Sequence, residues 1–171
     1  SGNQDSSFPK YLAAVGNTLY FRAVDGTHGA ELWKSDGTEA GTVMVKDIRP
    51  GTDSGNPGES TYWLTVIGNT VFFDANDGIH GYELWKSDGT EAGTVMVKDI
   101  KPGGSSVHSY PGMLTAVGNK LFFRAVAAES SYNNYVLWVS DGTENGTIML
   151  TDYQTSGCCS GLKAIGDTLF F

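Results

Sequence analysis

Cysteine occurs only as the adjacent pair Cys158-Cys159, and histidine only as His28, His80 and His108. With no CxxC spacing and no histidine beside the cysteines, zinc is not expected there. No HExxH pattern, nucleophile elbow or glycine-rich phosphate loop occurs, so no enzyme class announces itself by a local motif. Positive charge is also scarce. Eleven Lys and Arg face nineteen Asp and Glu, for a net charge of −8. That balance argues against nucleic acid or an anionic membrane surface as the main partner. No apolar run approaches the roughly 18 residues that a membrane-crossing helix needs, so membrane insertion is not expected.

Glycine and aromatics are plentiful: 23 glycines and 12% aromatic residues, a composition that suits many short strands joined by tight turns. They fall in a repeat. Glu31 to Ile48 reads ELWKSDGTEAGTVMVKDI, Glu83 to Ile100 reads the same, and Val136 to Tyr153 is a diverged copy, VLWVSDGTENGTIMLTDY. Upstream of each lies a second shared segment, AAVGNTLYFRA from Ala13, TVIGNTVFFDA from Thr65 and TAVGNKLFFRA from Thr115. A fourth starts at Lys163 as KAIGDTLFF. The marker glycines Gly16, Gly68, Gly118 and Gly166 are 52, 50 and 48 residues apart. A period of this size is that of repeat architectures. It divides the chain into residues 1–60, 61–110, 111–160 and 161–171.

Each repeat parses into four strands. In the second they are Trp63–Ile67, Thr70–Asn76, Tyr82–Ser87 and Thr94–Ile100. Gly68-Asn69 marks a two-residue hairpin, and Gly16-Asn17, Gly118-Asn119 and Gly166-Asp167 repeat it. Leu19, Phe21 and Ala23 alternate with Tyr20 and Arg22, and both faces of the strand carry aromatics. A sheet apolar on both faces must be sandwiched between neighbours, as propeller blades are. The expected fold is all-β: a propeller of four-stranded antiparallel blades, three and a half of them here. A linear solenoid or string of sandwiches is the structural alternative. The blade core is expected to include Leu19, Phe21, Trp33, Val43 and their equivalents. Three and a half blades cannot close a ring of four to eight. Neighbouring blades of a longer chain, or self-association, are therefore the expected partners.

ELWKSDGT resembles the ELWxxDGT repeat family of secreted and surface proteins of bacteria, and the likeness covers nearly the whole chain. Val136 departs from the motif in the third copy. The resemblance implies a propeller, an extracellular or cell-surface location and a binding or structural role, with no catalytic residue to carry over.

Several polar groups recur. Asp36, Asp88 and Asp141 precede a glycine and read as Asx turns assisted by Thr38, Thr90 and Thr143. As calcium ligands, the carboxylates of Asp25, Asp36, Asp77 and Asp88 are the candidates. Asp25, His28 and Glu31, matched by Asp77, His80 and Glu83, form a set that could ligate a transition metal; the alternative is loop capping. Trp33, Trp85 and Trp138 are expected to pack between blades, whereas Tyr62 and Trp63 follow an open loop and are the ligand candidates. Cys158 and Cys159 are expected to be oxidised, to each other as a strained vicinal disulfide or to distant cysteines. The expected function is a non-catalytic structural or adhesive module of a surface layer, appendage or matrix. A lectin-like propeller that binds glycans is the alternative, and an enzyme with a site at the channel mouth is a second.

Overall fold

The computed structural model describes residues 7–51, 64–128, 134–151 and 161–171. These residues form an all-β fold with no helix. The first sheet contains β1 (Lys10–Val15), β2 (Thr18–Val24), β3 (Ala30–Ser35) and β4 (Val43–Lys46). The second contains β5 (Thr65–Ile67), β6 (Thr70–Asn76), β7 (Tyr82–Ser87) and β8 (Val95–Lys98). The third contains β9 (Gly112–Val117), β10 (Lys120–Val126), β11 (Tyr135–Ser140) and β12 (Ile148–Met149). The hairpin of β13 (Lys163–Ile165) and β14 (Thr168–Phe170) is a sheet of its own. Within every sheet, neighbours in sequence are neighbours in space, and all pairs are antiparallel.

Local chemistry sets this meander. Val15 pairs with Thr18, Ile67 with Thr70, Val117 with Lys120 and Ile165 with Thr168, so each first turn holds two residues. The glycine that opens each turn sits at φ between +56° and +59°, a region where a Cβ is strained. In the second repeat the middle strands coincide with those read from the sequence. The outer two are shorter, starting at Thr65 and spanning Val95–Lys98.

The alternation along β2, β6 and β10 creates two different faces. Phe21 pairs with Trp33, Phe73 with Trp85 and Phe123 with Trp138, placing an aromatic pair on what we term the front face. Tyr20, Leu32, Val45 and Ile48 lie on the back of the first sheet. They pack against Val71, Phe73, Ala75 and Trp85 on the front of the second. One sheet further on, Phe72, Leu84, Val97 and Ile100 pack against Leu121, Phe123, Ala125 and Trp138. The core is thus a series of back-to-front contacts, and it recurs with the repeat.

Two expectations about this core need correcting. Val43 and Val95 are 39% and 37% exposed, and Val45 and Val97 are the buried residues of their strands. The first valine lies at the start of an edge strand, beyond the reach of the neighbouring sheet. Leu19, Phe21 and Trp33 are only half-buried, because no described sheet covers the front of the first one. Their counterparts Val71, Phe73, Leu121 and Phe123 are nearly or fully buried.

Candidate functional site

The turn after β3, β7 and β11 is where the repeated motif acts. Asp36 Oδ1 accepts the Thr38 amide at 2.9 Å and its hydroxyl at 2.7 Å. Thr38 Oγ1 in turn accepts the Gly41 amide, and Thr42 Oγ1 donates to the Thr38 carbonyl. The same bonds recur at Asp88 and Asp141. The threonine hydroxyl and amide hold all three aspartates below the usual carboxylate range. A side chain at Gly41, Gly93 or Gly146 would run into the carboxylate. The motif therefore encodes a loop that satisfies its own polar atoms.

That loop is also a receptor for the preceding sheet. Lys34 Nζ on β3 donates to the Gly89 carbonyl at 2.8 Å, and Lys86 Nζ on β7 donates to Gly142 at 2.7 Å. Lys46 and Lys98, at the ends of β4 and β8, reach the carbonyls of Thr94 and Thr147 at 2.8 and 3.0 Å. Tyr20 lies against Gly89, where a Cβ would collide with its hydroxyl, and Phe72 against Gly142, where a Cβ would crowd its ring. Burial, and then the charge of Asp88, push the Tyr20 hydroxyl up. In the third repeat Val139 and Thr151 occupy the two lysine positions. Sequence reading missed this role, because a lysine in a strand reads as a solvated residue. Its signal was the shared place of Lys34 and Lys86 in their own copy of the motif, 55 and 56 residues before the glycines they serve one repeat later. Replacing Lys86 by alanine is expected to cost about 1–2 kcal/mol in urea unfolding, since a part-buried charged donor is lost. Lys120→Ala, on an exposed position, should change stability by less than about 0.5 kcal/mol.

The loop before β3 and β7 holds the second constellation. Asp25 Oδ1 accepts the amides of Thr27 and His28, and its Oδ2 lies 2.6 Å from His28 Nδ1. Asp77 and His80 repeat the arrangement. Burial pushes the Asp25 carboxyl up, but the His28 amide and ring and the Thr27 amide outweigh it and bring it to about 2. The bond to aspartate raises both imidazoles. Glu31 does not join this pair. It is fully buried and accepts the Ile48 and Arg49 amides at 3.2 and 3.3 Å. Glu83 accepts the Ile100 amide and both the amide and hydroxyl of Ser109, the residue leading toward β9. Burial lifts both glutamates to about 7, against these donors. Each glutamate thus ties the start of one strand to the end of another.

These placements separate the candidate calcium ligands. Asp25 and Asp36 flank β3 at opposite ends, as Asp77 and Asp88 flank β7. Six strand residues span about 20 Å, too far for one ion to bridge a pair within a sheet. Among the described residues no three of His, Cys, Asp and Glu converge as a metal site. Trp85 and Trp138 are buried between sheets. Tyr62, Trp63, Cys158 and Cys159 lie outside the described residues.

Two features were not anticipated. Tyr82, His108 and Tyr110 form a half-buried aromatic group with centroids 4.9–5.7 Å apart. A groove of about 600 Å³ runs over the front of the first sheet, lined by Leu12, Leu19, Phe21, Ala23 and Trp33. No protein-family model, curated protein or solved structure matches the chain.

Proposed function

We propose that the chain is a non-catalytic module of ELWxxDGT-type repeats, with its sheets arranged as propeller blades, serving a structural or adhesive role outside the cell. One observation carries this reading. The polar residues of the motif are engaged in shaping their own turn and in holding the adjoining sheet through Lys34, Lys46, Lys86 and Lys98. Repetition of an interface, as opposed to a pocket, is what a load-bearing array requires. Between sheets, the strand backbones come together most from β1 to β5, from β5 to β9 and from β9 to β13. This ordering of first strands supports blades set around a common side.

A glycan array separates this role from the lectin-like alternative, for which the Tyr82–His108–Tyr110 group offers aromatic surface. The structural role expects no binding above background. Saturable binding abolished by Tyr110→Ala would replace it with the lectin reading.

Calcium is tested by melting. The aspartates already accept two or more protein donors each, so the melting temperature is expected to be the same in millimolar calcium and in chelator. An ion bound to the native state alone would raise it with concentration.

A further inference from the structure

We propose that residues 101–111, which lead from the second sheet into the third, are an acid-released clamp. The His108 ring holds it shut on the Tyr82 amide and lets go when it takes up a proton. The clamp goes beyond the structural role proposed above and does not depend on it. The three histidines of the chain divide by what their Nδ1 atoms face. Those of His28 and His80 lie 2.6 Å from the carboxylates of Asp25 and Asp77, partners that a second ring proton strengthens. That of His108 accepts the Tyr82 N–H at 3.1 Å. An imidazolium donates at both nitrogens and cannot accept, so protonation sets two N–H groups against each other.

The bonds around His108 show what is held. The Tyr82 carbonyl accepts the amides of Ser109 and Tyr110 at 3.1 and 3.3 Å. Glu83 accepts the Ser109 hydroxyl at 2.6 Å, and the Ser109 carbonyl accepts the Val126 amide, at the end of β10, at 2.8 Å. Two residues at the start of β7 thus grip the segment that feeds β9, and that segment is also tied to the third sheet. The fit is close, since a side chain at Gly81 would run into the Val107 carbonyl and the His108 ring. Tyr110 is held at φ +47°, a region that a bulky residue occupies only under constraint. The rings of Tyr82 and Tyr110 lie 5.4 and 4.9 Å from His108, so an imidazole that turns away from the Tyr82 amide leaves both. In the first sheet Ala30 holds the register position of Tyr82, so stacking of sheets does not by itself require this aromatic group.

The surroundings favour the uncharged ring. Burial, and then Lys101 on the clamp itself, hold His108 below 6.5. On β7, Glu83 accepts from Ser109 and the Ile100 amide, and burial lifts it to about 7. On the turn before β7, Asp77 is bonded to His80, and Asp99, just after β8, acts on His80 and Glu83. These carboxylates serve other donors and leave His108 to the Tyr82 amide. The clamp's contribution is thus present above 6.5 and is lost as pH falls through the lowered value of the closed form. It runs against the two buried glutamates, whose stabilisation grows as pH falls from about 7 to 4.5. Acid therefore loosens this junction while it tightens the rest of the fold.

Amide exchange followed by NMR on the 171-residue chain tests this from about pH 7.5 to about pH 4.5, each rate divided by its intrinsic unfolded value. Protection of the Tyr82, Ser109 and Tyr110 amides is expected to fall about tenfold for each pH unit below 6.5, until the closed form itself titrates. The amides of Phe73 and Leu84, buried on central strands, should keep or increase their protection. His108→Asn sets a carboxamide oxygen near the place of Nδ1 without a titrating group, and should keep the clamp shut at every pH. His108→Phe keeps a ring but no acceptor, and should exchange rapidly even at about pH 7.5. Glu83→Gln should retain the loss in acid, which separates His108 from the neighbouring carboxyl. The native ring supplies a readout that needs no variant. Its nitrogen chemical shifts should show Nδ1 unprotonated at about pH 7.5 and a midpoint below 6.5. A midpoint at or above 6.5, Tyr82 protection that is equal at both ends of the range, or a His108→Asn variant that opens in acid as the native chain does would each overturn the clamp.

Discussion

Truncating Phe73 to alanine is expected to remove about 3–5 kcal/mol of unfolding free energy, the range for a large aromatic lost from a packed core. Phe73 is 1% exposed, and its neighbours come from two sheets, with Leu32, Val45 and Ile48 on one side and Trp85 in its own sheet. Domains of this size hold only about 5–15 kcal/mol in total, so the variant should be close to unfolding. Phe123→Ala belongs to the same class, with its ring stacked 6.4 Å from Trp138. Phe21 occupies the same register position on the first sheet but faces the groove. There the same truncation should cost about 1–2 kcal/mol, since less apolar area is withdrawn from water. Urea midpoints measure the difference. Equal losses at Phe21 and Phe73 would show that the front of the first sheet is covered in the monomer.

Stability should fall as pH rises from about 5 to about 8. Glu31 and Glu83 have an ordinary value of 4.5 that burial raises to about 7 in the folded chain. Between those values the native state holds protons that the unfolded chain has released. Their stabilisation is therefore complete below 4.5 and is lost as pH rises through about 7. Each glutamate accounts for roughly 3–3.5 kcal/mol at full titration, from the rise from 4.5 to about 7 at about 1.4 kcal/mol per unit. His28 and His80 act in the same direction, because their bonds to Asp25 and Asp77 raise them above 6.5 and are weakened when they deprotonate. His108 opposes them. Burial and the charge of Lys101 lower it, so its contribution is present above 6.5 and fades as pH falls. Asp25, brought to about 2, loses its contribution only in strong acid. The melting temperature should accordingly peak at about pH 4–5, between the loss of the aspartate contribution in acid and the ionisation of the two glutamates. The double variant Glu31→Gln, Glu83→Gln should flatten the fall above pH 6 and melt higher than the native chain at pH 8. An unchanged slope in that variant would show that the two carboxyls are ionised throughout.

The number of sheets, the strand order within each and the residues that share a face were legible in the sequence. All three follow from interactions local along the chain: the Gly-Asn turn, the alternation of Leu19, Tyr20 and Phe21, and the length of the repeat. The Asp36 turn was legible for the same reason, since the bonds that shape it each span only two to four residues. What the polar residues do between sheets was not. Lys34 finds its acceptor 55 residues later at Gly89, and nothing near Lys34 distinguishes it from a solvated lysine. Glu31 looked like a partner of His28, three residues away. The strand instead turns its carboxylate inward to the Ile48 and Arg49 amides. Only the stacking of one sheet on the next decides which of two chemically similar faces is buried. Phe21, Phe73 and Phe123 share one pattern and one register, yet the first is half-exposed and the others are closed in. Burial is a property of the neighbour as much as of the residue, and the neighbour is set by contacts about fifty positions away.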